Sequence, residues 1–222
     1  MYRLLLILIC LVGCQPNENK LNLNFQVKGL KKGVVLLNKF KDSSFITIDS
    51  FQVNGHKIIN FTYDLKEPEI LFLELKTNDN QTKTLNFFAE NSEINIVTTI
   101  ENYGFDMSVK GSVNDSILRE YLKNIKKFNN NKLDLIQESL INSQNNNKDA
   151  LALSNQKIDN LAKRQFLYTA NFAINNASYE VSPYIAVSEL LDLKYLLDTV
   201  YKSLDKRILS SKYAIRLKDL AN

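Results

Sequence analysis

One histidine and a few scattered carboxylates are the side chains of this chain best suited to catalysis. The 222 residues contain one histidine, His56, and two cysteines, Cys10 and Cys14. As a general base, His56 would need a hydroxyl or water partner and an orienting acid, yet no Gly-x-Ser-x-Gly motif accompanies it. Because His56 directly follows the turn-forming pair Asn54-Gly55, we expect it to be exposed and to have no catalytic role.

Carboxylates could act as a pair of the glycosidase kind, which needs two carboxyl groups about 5 to 10 Å apart. The candidates are Glu67, Glu69, Glu74, Glu90 and Glu93. Glutamates in such positions are mostly solvated sheet edges or turn ends. Asp49 and Ser50 are neighbours in a predicted strand and therefore point to opposite faces. We predict no catalytic residue, cofactor or metal site, and keep a carboxylate-dependent hydrolase as the least favoured alternative.

The first residues have the pattern of a secretory signal. Arg3 is followed by an unbroken apolar run to Gly13, which is about half the roughly 20 residues that a membrane-spanning helix needs. The run ends in Leu11-Val12-Gly13-Cys14, which resembles the bacterial lipobox. We therefore predict a lipoprotein signal peptide over residues 1–13, lipidation of Cys14 and a polar tether over residues 14–20. The alternative is a chance cysteine at an ordinary cleavage site.

Lipidation of Cys14 would have two consequences. The acyl chains would hold the protein on a membrane, since each buried methylene contributes about 0.8 kcal/mol. We expect a periplasmic or surface-facing protein of the cell envelope, and Gln15 after the cysteine favours the outer over the inner membrane. Cys10 would leave with the signal peptide, so no free thiol would remain for thiol-disulfide chemistry.

The composition is that of an ordinary globular protein, and it excludes several classes of protein. Hydrophobic residues make up 45% and charged residues 23%, with a formal net charge of +4. Two cysteines and one histidine exclude disulfide-rich and zinc-cluster proteins. The chain has no run of five basic residues, only the looser set Lys123, Lys126, Lys127 and Lys132. Nucleic-acid binding is therefore not predicted.

Residues 21–111 alternate between apolar and polar side chains, which indicates half-buried strands. The predicted strands are Val34–Phe40, Phe45–Phe51, Lys57–Tyr63, Ile70–Leu75, Thr84–Ala89, Ile94–Ile100 and Phe105–Val109, after a first one at Leu21–Val27. Short strands at this spacing predict an antiparallel β-sandwich. Asn54-Gly55 is the strongest hairpin signal among the intervening turns.

Residues 112–222 have helical spacing and form the second region. A long antiparallel helical hairpin is predicted, capped at Asn114 or Asp115, turning at 142–148 and kinked or broken at 129–131. Shorter helices are predicted from Tyr184, after a Ser182-Pro183 cap, and from Leu193 and Ser211. The fold class is therefore α+β.

The aromatic residues serve either as core or as a binding surface. The sandwich carries Phe45, Phe51, Phe61, Phe72, Phe87, Phe88 and Phe105. Two packed sheets need a core, so we favour core over a peptide or lipid groove. The helical pair carries Tyr121, Phe128, Tyr168, Phe172 and Tyr179, for which packing is again favoured over a partner surface.

Three short signatures, in this order along the chain, resemble a lipoprotein family of Bacteroidetes. They are Phe25-Gln26-Val27-Lys28-Gly29, Ile48-Asp49-Ser50-Phe51 and Val109-Lys110-Gly111-Ser112. With the lipobox and the helical hairpin they look like the domain of unknown function 4369. In that family the segment typically precedes a thioredoxin-like domain of the TlpA type, and the stretch Leu204–Leu217 is similar to the helix that leads into it. That domain and its cysteine pair have no counterpart here, so the resemblance transfers no catalytic residue.

Three functions follow from these features. The leading one is a non-enzymatic, membrane-anchored envelope lipoprotein that acts as a binding or scaffold module. The second is an accessory partner of a separate thioredoxin-like reductase, as the resemblance implies. The third is the carboxylate-dependent hydrolase, which requires convergent acids in a concave pocket.

Overall fold

The computed structural model describes residues 20–41, 44–77 and 81–222. The predicted signal peptide, Cys14 and the tether up to residue 19 lie outside the described residues, as do residues 42–43 and 78–80.

The N-terminal part of the described chain contains eight strands close to the predicted positions. They are β1 (Lys20–Lys28), β2 (Lys32–Lys41), β3 (Ser44–Asn54), β4 (Ile59–Asp64), β5 (Glu69–Lys76), β6 (Thr82–Ala89), β7 (Glu93–Thr99) and β8 (Ser108–Lys110). The last strand is shorter than predicted, because Phe105 lies in the turn that precedes it. The Phe105 N–H donates to the Asn102 carbonyl at 2.8 Å.

The strands form two sheets, as the predicted sandwich requires, and each sheet has four strands, in the orders β4-β1-β7-β8 and β3-β2-β5-β6. Five of the strand pairs are antiparallel, but β1 and β7 are parallel. The purely antiparallel prediction is wrong at this pair because no short hairpin connects the two strands. Only a tight turn between consecutive strands enforces antiparallel pairing, and β7 reaches β1 after the chain has passed through the other sheet.

Asn54-Gly55 forms a turn but not the predicted hairpin. It connects β3 of one sheet to β4 of the other sheet, and Gly55 has the positive φ of +78° that the turn needs. The Gly55 N–H donates to the Lys31 carbonyl at 2.9 Å instead of closing a two-strand ladder. The consecutive strands that pair antiparallel are β2 with β3, β5 with β6 and β7 with β8.

The inward faces of both sheets form one shared core. Alternate residues of β1 are fully buried, and the same alternation recurs on β2, β5 and β7. The cluster includes Leu23, Phe25, Leu37, Leu73 and Ile96. This packing confirms the sandwich.

The C-terminal part is helical. It contains α1 (Val113–Gln144), α2 (Lys148–Asn175), α3 (Val181–Glu189), α4 (Lys194–Ser203), a 3-10 turn at Ile208–Ser210 and α5 (Lys212–Ala221). No helix of the described residues is long and apolar enough to cross a membrane.

The helical hairpin is confirmed, but its first cap and its predicted break are not. Ser112 is the N-cap, with extended backbone and a hydroxyl that accepts the Asp115 N–H at 2.9 Å, so Asn114 and Asp115 lie inside the first turn. The helix runs through 129–131 without interruption. Asparagine costs at most about 0.7 kcal/mol per helical residue, which the packing along α2 offsets.

The helix α3 begins at Val181, three residues earlier than predicted. Ser182 is not its cap, because its hydroxyl is buried and donates to the Ala173 carbonyl of α2 at 2.7 Å. Pro183 is tolerated inside the first turn, where no backbone N–H is needed. The other two predicted starts are confirmed, with Leu193 and Ser211 at the N-caps of α4 and α5.

The helices add a third layer to the sandwich. Ile70 and Phe88, on the outer face of the β3-β2-β5-β6 sheet, pack against Leu118 and Tyr121 of α1 and Ile185 of α3. The helices α2 to α5 form a further core of their own, centred on residues such as Leu197 and Leu217.

Candidate functional site

His56 lies in the exposed turn between β3 and β4, as predicted. Its Nδ1 accepts the Asn54 N–H at 3.3 Å, and its ring stands edge-to-face against Phe51 at 5.2 Å. Among the described residues no carboxylate bonds to this imidazole.

Two of the five candidate glutamates hold helix N-termini. The carboxylate of Glu90 accepts the Val113 N–H at 2.7 Å and the Asn114 side-chain amide at 2.8 Å, at the start of α1. Glu67 accepts the Lys212 N–H at 2.7 Å, at the start of α5. A negative charge at a helix N-terminus is stabilising, so both groups join the sandwich to the helices.

The other three glutamates have separate partners. Glu69 accepts the Lys212 ammonium at 2.5 Å, Glu74 accepts the Asn38 amide at 3.0 Å, and Glu93 accepts the Asn24 amide at 2.9 Å. Only Glu67 and Glu69 share a partner residue, Lys212. Within the described chain the set is therefore distributed over the sandwich and is not gathered in one cleft.

The most extensive polar network connects the sandwich to α1 and was missed by the sequence analysis. Asn114 and Asp115 are 3% and 1% exposed. The Asn114 Oδ1 accepts the Val181 N–H of α3 at 2.9 Å, and Asp115 Oδ1 accepts the Phe88 N–H of β6 at 2.9 Å. Both side chains thus bond backbone groups that helix and sheet ladders leave unpaired.

Arg119 completes this network at the edge of β6. Its guanidinium donates to both oxygens of Asp115, at 3.2 and 3.0 Å, and to the Asn86 carbonyl at 2.6 Å. Its side chain is 32% exposed, whereas that of Asp115 is 1% exposed. The arginine is therefore fixed at its inner side and open to solvent on the other.

A second ion pair extends the network to the C-terminal helices. Glu180 is 7% exposed and accepts Arg207 at 2.8 Å, while the same arginine donates to the Ser178 carbonyl at 2.6 Å. Glu180 also accepts the Asn114 amide at 3.3 Å. Sandwich, hairpin and C-terminal helices are thus linked through polar contacts that are buried at Asn114 and Glu180 and exposed at Arg207.

Beside β6 lies an open cleft of about 320 Å³. It is lined by Phe72, Thr84, Leu85, Asn86, Tyr103, Gly104, Phe105, Met107 and Arg119. Phe105 is 96% exposed, which is unusual for so large an apolar side chain next to a charged one. The cleft therefore combines an aromatic wall with one fixed cation.

The wall opposite Arg119 is the segment between β7 and β8, and it is firmly anchored. The Tyr103 hydroxyl donates to the Leu73 carbonyl at 3.1 Å, and burial raises the pKa of this phenol. Gly104, with φ of +85°, lies so close to β6 that an added Cβ would be 3.0 Å from the Leu85 Cβ. The segment is thereby held against β6.

Asp106 anchors the same wall at its far end. Its carboxylate accepts the hydroxyls of Thr98 and Thr99, each at 2.6 Å, and the Thr99 N–H at 3.1 Å. These bonds, that of Thr98 first, lower the pKa of Asp106. The backbone at Phe105 is thus held by anchored neighbours on both sides.

The predicted aromatic core is only partly correct. Phe61 and Phe87 lie in the shared core with Phe51 packed on it, and Phe88 is buried between the sheet and the helices. Phe45 is 54% exposed and Phe105 is 96% exposed, so neither is core.

Phe45 belongs to an aromatic row on the outer face of the β3-β2-β5-β6 sheet. It stands edge-to-face against Phe40 at 5.3 Å and against Phe72 at 4.9 Å. The register of β2 changes between Leu37 and Asn38, and after this bulge Phe40 pairs with Phe45. The prediction failed here because alternation alone does not say which face of a sheet stays uncovered.

The helical aromatic residues mostly pack, as predicted. Tyr121 lies against Phe172 at 5.3 Å and its hydroxyl is 2.9 Å from the Thr169 hydroxyl. Burial raises the pKa of Tyr121. Tyr168 and Phe128 continue the same cluster at 5.5 Å, whereas Tyr179 is 38% exposed.

Beyond this cluster the hairpin extends away from the body. The buried residues of α1 end at Ile125, and the remaining 19 residues, 126–144, have a length of about 28 Å at a rise of 1.5 Å per residue. Glu138 binds Lys157 at 3.0 Å across the two helices, and this contact lowers the pKa of Glu138. Several apolar side chains of this arm are exposed, among them Leu133, Leu140, Ile141 and Leu153.

Comparison with known proteins gives one family match. Residues 20–118 match the family model described as "Domain of unknown function (DUF4369)". No curated protein matches the chain. A solved structure described as "pT26-6p" is 12% identical, with 86% of this chain and 41% of that chain covered and a TM-score of 0.25. A likeness at this level carries no structural argument, and the chain spans well under half the length of that protein.

The matched segment begins with β1 and ends at Leu118, in the second turn of α1. It includes both sheets, the wall that carries Phe105, and the contact of Asp115 with β6, whereas α3 lies outside it. The sandwich of this chain, together with the start of α1, is therefore the part that is similar to the family of the domain of unknown function DUF4369.

Proposed function

We propose that this protein is a non-enzymatic lipoprotein of the cell envelope, held on the membrane through Cys14 and acting as a binding or scaffold module. The apolar run that ends in Leu11-Val12-Gly13-Cys14 supports the anchor. From Cys14 to Lys20 a fully extended chain spans at most about 20 Å, so the sandwich would lie close to the membrane surface.

The observation that best supports a binding role is the cleft beside β6. Its shape is held in advance by the Tyr103 and Asp106 anchors, and Arg119 is oriented by Asp115. A preformed surface with an exposed aromatic residue and a fixed arginine is typical of recognition sites. The glutamates that could have supplied acid–base chemistry are instead bonded to helix N-termini, amides and lysines.

Mass spectrometry of the protein purified from its native host tests the anchor. We expect a new N-terminus at Cys14 that carries acyl groups, and recovery of the protein in the membrane fraction. Cys14→Ser should lose both the lipid and the membrane association, whereas the matched variant Cys10→Ser should keep both. An unmodified N-terminus upstream of residue 14, with both thiols free, would contradict the proposal.

An accessory role beside a separate thioredoxin-like reductase is the alternative. It is supported by the family context of DUF4369 that the sequence signatures imply, with this chain contributing surface and no redox chemistry. Cross-linking of the intact envelope tests it, since the reductase should then be recovered with the wild-type protein and be lost with a cleft variant such as Phe105→Ser. A carboxylate-dependent hydrolase has less support, because it needs two acids that converge on one substrate.

A further inference from the structure

The edge of β6 presents backbone groups to the cleft. In the antiparallel pair of β5 and β6, backbone groups of alternate residues point toward the partner strand and away from it. The Asn86 carbonyl accepts Arg119 and the Phe88 N–H donates to Asp115, so both groups point away from β5. By the same alternation the Asn86 N–H and the Thr84 carbonyl point away from β5 as well.

Side chains bond one half of this edge, and Gly104 packs close to the other half, where an added Cβ would be 3.9 Å from the Thr84 carbonyl oxygen. Asp115 and Arg119 bond the backbone at Phe88 and at the Asn86 carbonyl, as a neighbouring strand would. In the described residues no side chain bonds the Asn86 N–H or the Thr84 carbonyl, and both residues line the cleft. An edge strand with unpaired groups is a template for a further strand.

The residues that line the cleft also indicate which side chains such a strand would carry. Arg119 uses Nε and one terminal nitrogen for Asp115 and Asn86, which leaves its other terminal nitrogen for a carboxylate. Phe105 and Phe72 offer aromatic surface to an apolar side chain. Backbone, charge and apolar surface thus lie within one cleft of about 320 Å³, which is at the small end of typical ligand pockets.

We propose that this cleft binds an extended acidic peptide segment of a partner protein, which adds as a strand to the edge of β6 at Thr84 and Asn86 and places a carboxylate on Arg119. This inference rests on the proposed binding role and names its partner class. Strand addition gains affinity from main-chain hydrogen bonds and specificity from alternate side chains. An acyl chain would satisfy neither the backbone groups nor the arginine.

Peptide binding to the full chain in lipid nanodiscs tests the proposal. The probe is a fluorescein-labelled, C-terminally amidated hexapeptide of sequence Gly-Thr-Val-Phe-Val-Glu, followed by fluorescence anisotropy. We expect saturable binding below about 1 mM, and an affinity at least about fivefold lower when Glu is replaced by Gln in the peptide. Absence of binding up to about 1 mM overturns the proposal, and so does equal binding of the Gln peptide.

Two N-methylated peptides test strand addition itself. A strand that adds to one edge directs only alternate N–H groups toward it. Methylation of one alternate set should therefore abolish binding, while methylation of the other set should leave it within about twofold. Equal effects of the two peptides would overturn strand addition.

Variants of the protein supply the matched controls. Phe105→Ser, at a 96% exposed position, should weaken binding about tenfold, whereas Tyr195→Ser, on α4 and 65% exposed, should not change it. Asn86→Pro removes the edge N–H and should weaken binding about two- to tenfold relative to Asn86→Ala, which keeps it. Retained binding by Phe105→Ser and by Asn86→Pro would overturn the proposal.

Failure of these peptides is distinguishable from failure of the proposed function. Lipidation at Cys14 and membrane association are measured independently, and peptide binding has no influence on either. If the anchor is found and the peptides do not bind, only the inference about β6 is lost. If the peptides bind and Cys14 carries no lipid, the binding role survives and the anchor does not.

Discussion

The buried pair of Asp115 and Arg119 provides the most stringent test of how the helices are joined to the sandwich. Asp115→Ala removes the acceptor of the Phe88 N–H and leaves that buried donor unpaired, at a cost of about 1 to 3 kcal/mol. It also removes the partner of Arg119, and breaking a buried ion pair costs about 3 to 5 kcal/mol. Because Arg119 is 32% exposed, water recovers part of this cost, and we expect a total loss of about 3 kcal/mol.

The assay is urea unfolding of the full chain at pH 7, with far-UV circular dichroism as the probe. Asp198→Ala is the matched control, since Asp198 and Lys202 form a pair of the same spacing, at 2.6 Å, with side chains 45% and 73% exposed. Its loss should lower the free energy of unfolding by less than about 0.5 kcal/mol. Asp115→Asn keeps an acceptor for the Phe88 N–H and should fall between the two variants.

A loss below about 1 kcal/mol for Asp115→Ala would refute this reasoning, because it would mean that the Phe88 N–H finds another partner. Equal losses for Asp115→Ala and Asp198→Ala would refute it as well, since burial would then make no difference.

Three further predictions concern the connection between β8 and α1 at Gly111 and Ser112, and the cleft wall at Asp106. Gly111→Ala should lower the free energy of unfolding by more than about 3 kcal/mol, because φ is +96° and a Cβ would lie 1.9 Å from the Glu93 carbonyl oxygen; urea unfolding measures this. Ser112→Ala should cost about 1 kcal/mol in the same assay through loss of the α1 cap, and an unchanged midpoint would contradict the capping role. The pKa of Asp106 is lower in the folded state than its unfolded-state pKa of about 3.9. The carboxylate therefore stabilises the fold above about pH 3.9, and this contribution is lost as the pH falls through the folded-state pKa. Asp106→Asn should therefore reduce the acid dependence of stability between about pH 5 and pH 2, and an unchanged dependence would contradict the role of the carboxylate.

Local signals predicted most elements but not how the elements are connected in space. Apolar alternation placed the strands within a few residues, because alternate side chains of a half-buried strand must face a core. The pair Asn54-Gly55 indicated a turn correctly, since Gly55 adopts a positive φ. Whether the chain then pairs with itself or crosses to the other sheet depends on which strand edge is free, and no residue of the turn encodes that.

The contact between the sandwich and α1 shows the same contrast between what local sequence predicts and what tertiary packing decides. Asp115 has the identity of a helix-capping residue, and its position near the start of α1 was predicted from this preference. Its actual role, to accept the Phe88 N–H, depends on β6 lying beside α1, and the two residues are 27 positions apart. Contacts over such separations are not visible in local periodicity.

The sequence by itself determined the α+β class, the boundary near Gly111 between strands and helices, and the apolar start that ends at Cys14, because each rests on local spacing of apolar, turn-forming or small residues. The tertiary structure alone decided that β1 and β7 are parallel, that Phe105 is exposed beside Arg119, and that the edge of β6 opens into a cleft. The physical reason is that burial of a strand edge or an aromatic ring is set by distant elements that pack against it, and packing of distant elements follows from the whole chain rather than from neighbouring residues.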